Sequence, residues 1–383
     1  MKKVEVILKV TEACNLRCKY CYECDREYPT GVFPLDKLEA LLRLLRTGYN
    51  LIHIIWHGGE PMLAGLAYFK EAMDVERRVH IESGVVIENS IQTNGTLIDK
   101  SWAEFFRENG FRVGVSFDGA DNERFRGATD RARAGMQALR DASVSFGCNA
   151  VVADADYDLA ANYAFFRREG IGFDFSRMLA EGGAKVMRPM DAKTYADALC
   201  RLYDYWITDT EGVSVRTFAL YVNMAVGGKY RICSSCSCHT KYLSVSPDGT
   251  LYNCGRESMG HYPFGKIEDF AHVNEIFASE GARALIAGSI ARREKCKAIC
   301  PDFALCAGGC ADVAIVEGGL SEIPAEYCML FRTVYGHVKA SVERLLAEKT
   351  PLSSLNPAVR GILARTLSPI SDTAKAAEGE TYL

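Results

Sequence analysis

The run Cys14-Asn15-Leu16-Arg17-Cys18-Lys19-Tyr20-Cys21 decides how the rest of this 383-residue chain is read. Three thiolates on one tight loop can hold three irons of a [4Fe-4S] cube. With no fourth ligand in the run, one iron stays open to a small molecule. The competing reading is a zinc knuckle, but structural zinc takes four tetrahedral Cys or His ligands. This run offers three at unequal spacing with no adjacent His, so Cys24 would have to complete such a site. Inert buried thiols, a third reading, sit badly beside Arg17 and Lys19.

Downstream, residues 51–56 read as a buried strand that runs into His57-Gly58-Gly59-Glu60-Pro61. Paired glycines allow a close backbone approach to a ligand, and the carboxylate beside them can accept hydrogen bonds from an ammonium. Taken alone, the same four residues are a strand-ending turn. The next strand, 85–92, ends in Thr93-Asn94-Gly95-Thr96, and the one after, 111–117, ends in Asp118-Gly119. Strand, polar tip and helix is the repeating unit of a parallel barrel whose active site gathers at the carboxyl ends of the strands. Gln92, Asn94, Ser116 and Asp118 are thereby placed to face a ligand, although Asn-Gly and Asp-Gly are also turn signals.

Residues 4–10 form the first expected strand, and helices are expected over 35–46, 64–80, 99–108, 131–145, 159–168 and 192–208. Further strands fall near 148–152 and 172–176. The sum is an α/β fold of about six strand and helix pairs, an open partial (β/α)6 barrel spanning residues 1–215. Beyond it cysteines crowd in and turns are expected to replace helices. Cys233, Cys236 and Cys238 precede a hairpin with Pro247-Asp248-Gly249 at its tip and Cys254 at its end; Cys296, Cys300, Cys306, Cys310 and Cys328 follow. Closing the hairpin brings Cys236 and Cys254 to the same end, and two thiolates together invite a metal. Structural zinc is the alternative there too. Residues 216–335 thus read as a cysteine-rich second domain, and 336–383 as a C-terminal helix followed by a loose tail.

Fifteen cysteines in a chain whose first eight residues are too short and too interrupted for a signal peptide read as metal ligands in a reducing cytoplasm. A hydrophobic content of 48% with no apolar run long enough for a bilayer argues for ample cores and no membrane segment. A net charge of -4 with no basic stripe argues against a nucleic-acid partner.

The cysteine loop, with Tyr20 at its aromatic position, resembles the CxxxCxΦC loop of the radical S-adenosylmethionine enzymes. The resemblance implies that the methionyl amine and carboxylate of S-adenosylmethionine chelate the open iron. An electron from the cluster then cleaves the sulfonium, and a 5′-deoxyadenosyl radical abstracts hydrogen. It implies Cys14, Cys18 and Cys21 as the ligands, and Tyr20, Gly58, Gly59, Glu60 and Ser116 as cofactor-binding residues.

The second region resembles the SPASM extension, which holds two further [4Fe-4S] clusters, three in all. Cys236, Gly249, Cys254, Cys300, Cys306, Cys310 and Cys328 match its pattern, while three residues, not two, separate Cys296 from Cys300. The resemblance implies Cys236, Cys254 and Cys310 for the first auxiliary cluster, with Cys233 as fourth ligand. It implies Cys296, Cys300, Cys306 and Cys328 for the second. Cys238 can replace Cys233, or that position can be open for substrate. Cys148 and Cys200 match no motif and read as small buried residues, and Cys24 as a neighbour of the catalytic loop.

Two kinds of enzyme dominate that subset. Anaerobic sulfatase-maturating enzymes oxidise a Cys or Ser of a sulfatase to formylglycine, and the runs 59–65 and 92–99 look much like theirs. In that group an aspartate directly follows the hairpin cysteine and serves as base; here Gly255 stands there. Peptide maturases crosslink or otherwise modify ribosomal precursor peptides, and Cys254-Gly255-Arg256-Glu257 is closer to theirs. Arg256 can hold an acidic peptide side chain or simply be solvated.

The expected function is a peptide maturase forming a thioether or carbon-carbon crosslink, with the auxiliary clusters accepting the electron left on the product radical. A sulfatase activator is the alternative. A noncatalytic electron carrier is the second alternative, against which the glycine run speaks. Asp118, Glu257 and Tyr22 are candidate bases. Expected partners are a precursor peptide and a flavodoxin- or ferredoxin-type electron donor. Because the chain opens directly in its first strand, peptide recognition falls to the barrel mouth, the tail or a separate protein.

Overall fold

The computed structural model describes residues 2–23, 31–180, 187–228, 238–256 and 260–367. Strand β1 (Lys3–Thr11) alternates: Val4, Val6, Leu8 and Val10 are fully buried on one face, and Glu5, Ile7 and Lys9 occupy the other. Branched side chains at every second position suit a pleated strand packed against helices. Strands β2 (Leu51–Gly58), β3 (Val86–Thr93), β4 (Arg112–Ser116), β5 (Phe146–Val152) and β6 (Phe173–Arg177) each pair in parallel with the one before.

Helices α1 (Leu35–Leu45), α2 (Gly65–Ser83), α3 (Lys100–Glu108), the single turn α4 (Asn122–Phe125), α5 (Thr129–Asp141), α6 (Leu159–Glu169) and α7 (Ala192–Trp206) separate and follow these strands. The carboxylates of Asp99, Asp158 and Asp191 cap α3, α6 and α7 by accepting from backbone N–H groups. The sheet order β6-β5-β4-β3-β2-β1 does not close, which is the expected partial barrel.

After residue 215 the expectation of turns in place of helices is overturned. Five helices lie there among the described residues, α8 (Arg216–Ala225), α9 (Val273–Ala278), α10 (Glu280–Ile299), α11 (Phe303–Cys306) and α12 (Ala311–Glu317); the helix expected from residue 336 is present as part of α13 (Ala325–Ala347), with α14 (Pro357–Leu367) beyond it. Their signal is weak because α10 buries a narrow stripe of Ala282, Leu285, Ser289, Arg292 and Cys296, interrupted by the polar Ser289 and Arg292, so apolar periodicity does not reveal it.

The expected hairpin is present as β7 (Tyr242–Val245) and β8 (Thr250–Tyr252), joined through Gly249 at φ +90, with β9 (Gly265–Lys266) beyond. Strand β7 lies parallel on the free edge of β1, so one nine-stranded sheet runs through both cysteine regions. The boundary expected at residue 335 falls inside α13, which packs on α7 and α8. The segment 357–367 is helical and is tied to the end of α7 by Asn356 N to Ile207 O and by Arg360 to Thr210 O. The last dozen residues, expected to be loose, lie outside the described residues. Among the described residues no helix is long and apolar enough to cross a membrane.

Behind β2 the core holds one costly group. Trp56 Nε1 donates to Asn89 Oδ1 (2.7 Å) and Asn89 Nδ2 donates to Glu76 Oε2 (2.7 Å), while Glu76 Oε1 has no partner. Burial pushes the Glu76 carboxyl up to about 8 from an ordinary 4.5. An acid raised on folding contributes its full stability below the unfolded value and loses it as pH rises through the folded one. Glu76→Gln is therefore expected to match the wild-type thermal midpoint at about pH 5 and to exceed it at about pH 8.5, where ionisation strains the parent protein. Melting curves at the two pH values check this; a midpoint equally shifted at both would count against it.

Candidate active site

At the end of β1 the chain crosses over the end of β2. Gly59 N donates to Thr11 O (2.9 Å) and Glu60 N to Ala13 O (2.9 Å). A Cβ on Gly58 would stand 2.1 Å from Thr11 O, and one on Gly59 would stand 2.3 Å from Ala13 O and 2.4 Å from Glu12 O. The paired glycines thus admit the cysteine loop itself, a closer neighbour than the ligand expected from sequence.

Glu60 is fully buried and accepts from Met62 N (3.1 Å), Thr93 Oγ1 (2.8 Å) and Asn94 N (2.8 Å). Its carboxylate ties the β2 end to the β3 tip. Asn94, expected to face a ligand, donates through Nδ2 to Asn15 Oδ1 (2.8 Å), and Asn15 Nδ2 donates to Thr96 Oγ1 (2.9 Å). Lys19 N donates to Phe125 O (2.9 Å), so α4 holds the far side of the loop.

Cys14, Cys18 and Cys21 come together on this loop. Burial pushes all three thiols up, Cys21 to about 12, and the charges of Cys18 and Cys14 add to the rise at Cys21. Such thiols need a metal to become thiolates: binding iron releases their protons and supplies the compensating charge. Three soft donors on one loop fit one cluster with an open iron. Cys24, the fourth ligand that zinc would need, lies outside the described residues, among which no group of three His, Cys, Asp or Glu is gathered for a single ion.

Tyr20 is buried and donates its hydroxyl to Asp118 Oδ2 (2.6 Å), while Arg126 Nη1 donates to the Tyr20 hydroxyl (2.5 Å). Asp118 Oδ1 accepts from Val151 N (2.9 Å), so both oxygens of this candidate base are engaged. Ser116 Oγ accepts from Gln92 Nε2 (2.7 Å), and Gln92 Oε1 accepts from Asn149 Nδ2 (3.2 Å), a polar row across the ends of β3, β4 and β5. Arg126 went unnoticed in the sequence. It acts electrostatically on Cys14, Cys18, Glu60 and Asp118, yet it stands in Asn122-Glu123-Arg124-Phe125-Arg126, which reads as a solvated helix face.

Beyond β8 the chain turns toward the same loop. Tyr22 donates its hydroxyl to Gly255 O (3.3 Å), so this candidate base is engaged as a donor, and burial holds its phenol well above the ordinary range. A Cβ on Gly255 would meet Ile7 Cγ2 (3.3 Å), Ser244 Oγ (3.4 Å) and Lys9 Cε (3.6 Å). Lys9 Nζ donates to Glu23 Oε1 (2.7 Å), and both side chains are buried. His57 Nδ1 accepts from Gly58 N (2.8 Å); burial, with Lys9 beside it, pushes the imidazole down to about 4, so it is neutral at pH 7. Lys9 had a signal in sequence, a charge interrupting an apolar strand, but Glu23 had none. Arg256 is exposed, as expected of an arginine after a hairpin, and its Nε stands 3.8 Å from Asp312 Oδ2, a buried carboxylate. Glu257, the third candidate base, lies outside the described residues.

Two family models match the chain: the radical SAM superfamily over residues 8–152 and an iron-sulfur cluster-binding domain, SPASM, over residues 233–302. The chain belongs to the radical SAM superfamily and carries a SPASM domain. Its cofactors are S-adenosylmethionine and [4Fe-4S] clusters, one served by the barrel and the auxiliary ones by the SPASM domain.

It is 29% identical over 333 residues to the cysteine-type anaerobic sulfatase-maturating enzyme of Clostridium perfringens, covering 81% of this chain and 89% of that one. The solved structure of native anSMEcpe with bound AdoMet and Cp18Cys peptide superposes with a TM-score of 0.78 at 26% identity, over 91% of this chain and all of that one. Streptococcus suis SuiB bound to precursor peptide SuiA shares the fold, with a TM-score of 0.61 at 20% identity over 84% of this chain and 75% of that one.

At the end of the matched SPASM residues of this radical SAM protein and beyond them, Cys296, Cys300, Cys306 and Cys328 act electrostatically on one another: Cys328 and Cys300 on Cys296, and Cys328 and Cys296 on Cys306. The extra residue between Cys296 and Cys300 is absorbed by helix geometry, because Cys300 N donates to Cys296 O (2.9 Å) and a spacing of four keeps both on one face. Cys254 and Cys310 are described, whereas Cys233 and Cys236 lie outside the described residues. Cys238, the alternative to Cys233, sits at the hairpin foot, its sulfur 3.5 Å from Asn253 Oδ1 beside Cys254.

The glycine contacts carry a sharp expectation. Gly59→Ala drives a methyl group into two carbonyls of the cysteine loop. After anaerobic reconstitution it is expected to lose one cluster's share of iron and the ability to bind S-adenosylmethionine, while the SPASM clusters stay. Full iron content in the variant would refute it.

Proposed function

We propose that this radical SAM enzyme oxidises a side chain of a peptide or protein in the manner of the sulfatase-maturating enzymes, converting a Cys or Ser to formylglycine. What carries the reading is likeness over 81% of this chain to an enzyme of that name, and over 91% of it to a structure holding AdoMet and a peptide. This departs from the crosslinking expected from sequence, to which the relation is one of fold. Crosslinking stands as the second reading on one observation: Gly255 provides no carboxylate after the hairpin cysteine, and Lys9 packs where one would project.

Cys14, Cys18 and Cys21 hold the barrel cluster in this proposal; Cys238 or Cys233, with Cys236, Cys254 and Cys310, serves the first auxiliary cluster; and Cys296, Cys300, Cys306 and Cys328 serve the second. Bound there, the cluster and S-adenosylmethionine supply hydrogen abstraction from an unactivated carbon. The chain's residues do the rest. Arg126 offers a half-buried guanidinium to the cofactor carboxylate, oriented by Tyr20 and Asp118. Gly58 and Gly59 shape the backbone near the open iron, and Ser116 presents its hydroxyl at the end of β4. The Lys9–Glu23 pair and neutral His57 line the route to Gly255. A flavodoxin- or ferredoxin-type protein supplies the electrons, and recognition of the target rests with the barrel mouth or a separate protein.

Loss of one charge-assisted contact costs about 1.5–3 kcal/mol, so Arg126→Gln is expected to weaken S-adenosylmethionine binding at least about tenfold. Equilibrium dialysis of reconstituted protein reads it, and wild-type affinity would remove Arg126 from the site. The reaction is tested with reduced enzyme, S-adenosylmethionine and peptides carrying a sulfatase-type Cys or Ser. The expected products are 5′-deoxyadenosine and a hydrazide-reactive aldehyde. Two hydrogens lost without aldehyde would favour crosslinking, and no 5′-deoxyadenosine would favour the electron carrier.

A further inference from the structure

Arg292 is among the largest fully buried side chains of the molecule, at 1% exposure, and among the described residues no carboxylate pairs with it. A buried guanidinium without a carboxylate is expensive unless other negative charge faces it. Its hydrogen bonds go to carbonyls: Nε donates to Gly308 O (2.9 Å) and Nη1 to Leu320 O (2.5 Å). The sulfurs of Cys310, Cys296 and Cys238 are near enough to act on it electrostatically once binding iron makes them thiolates. Those three belong to both cysteine sets: Cys238 and Cys310 to the first, Cys296 to the second.

The backbone puts the same side chain at the crossing point. Arg292 lies one helical turn before Cys296 on the buried stripe of α10. The chain passes from Cys306 of the second set to Cys310 of the first through Ala307, Gly308 and Gly309, all left-handed, with φ of 52, 90 and 71. Arg292 grips the carbonyl in the middle of that crossing. A Cβ on Gly308 would come within 2.9 Å of Arg293 Cγ, so the loop is pressed onto α10.

We propose that Arg292 is a positioning residue shared by the two auxiliary clusters, a single buried cation that fixes their mutual placement and raises the reduction potential of both. Net charge and hydrogen bonding around the sulfurs are established levers on cluster potential. Reduction adds a negative charge, and a fixed cation in a low-dielectric site stabilises it. The inference rests on the cysteine assignment proposed above.

The test uses the full chain with Cys14, Cys18 and Cys21 each changed to Ala, so that only auxiliary clusters report, in redox titrations followed by electron paramagnetic resonance. Arg292→Gln is expected to move both potentials negative by about tenfold in the reduction equilibrium, about 59 mV for a one-electron couple. Arg292→Lys, which keeps the charge, should stay within about threefold of the parent, and so should Arg293→Gln, which removes the same charge from the half-buried neighbour. Unmoved potentials in Arg292→Gln, movement of one cluster alone, or an equal shift in Arg293→Gln overturns the proposal. Should Arg292→Gln take up no iron, Arg292→Lys decides. Parent potentials at full iron content support the proposal; displaced potentials or missing iron overturn it, because packing and not charge would then be the role of Arg292. If the parent triple variant itself binds no iron, the cysteine assignment fails, a result distinct from all of these.

Discussion

Strand β1 is hydrogen-bonded along both edges, to β2 from Lys3↔Leu51 onward and to β7 from Glu5↔Tyr242 to Leu8↔Val245. That double pairing joins two regions of different character into one sheet. On one side it sets the cysteine loop at the strand's carboxyl end against Gly58 and Gly59; on the other it brings the chain leaving β8 against Ile7, Lys9 and Ser244. Parallel ladders are rigid and buried, so the distance between the barrel cysteines and the hairpin cysteine is set by sheet geometry and not by a linker. A reaction centre that must exclude water and keep several redox groups in register depends on that stiffness.

Around the cysteines the buried charges are partnered. Lys9 meets Glu23, Arg126 acts on Asp118 through Tyr20, and Glu60 collects N–H and O–H donors from two elements. In a poorly screened interior, a satisfied network of this kind holds its members in one arrangement, whereas an unpartnered member would be costly. Arg292 meets the same rule through backbone carbonyls and, in the proposal above, through cluster-bound thiolates in place of carboxylates. The contrast is Glu76, away from the cysteines, whose second oxygen finds nothing and whose proton is retained instead.

Much of the barrel was legible because its strands carry the simplest signal there is, apolar alternation ending in polar tips. Val4, Val6, Leu8 and Val10 announced β1, and the Pro247-Asp248-Gly249 turn announced the hairpin. The helices between 273 and 317 were not legible, since cysteines and Arg292 occupy positions where apolar residues would have marked the buried stripe. In the site, the cysteines, the glycine run and Ser116 stood out by type and spacing. Arg126, Glu23 and Arg292 did not, for a charged residue in a polar stretch looks solvated until the fold shows what is packed over it.

From the amino acids alone came the chemistry on offer: three closely spaced thiols beside charged neighbours that read best as a ligand set, a second group with its own spacing, and glycines that demanded a close neighbour. Local spacing determines such things because ligand geometry is short-range. Which neighbour the glycines admit, which carboxylates stay engaged, and which cation faces two cysteine sets at once were decided only by tertiary structure. Those are contacts between residues some 14 to more than 230 positions apart in sequence, and no periodicity along the chain encodes a distance that only a closed network of packed strands and helices creates.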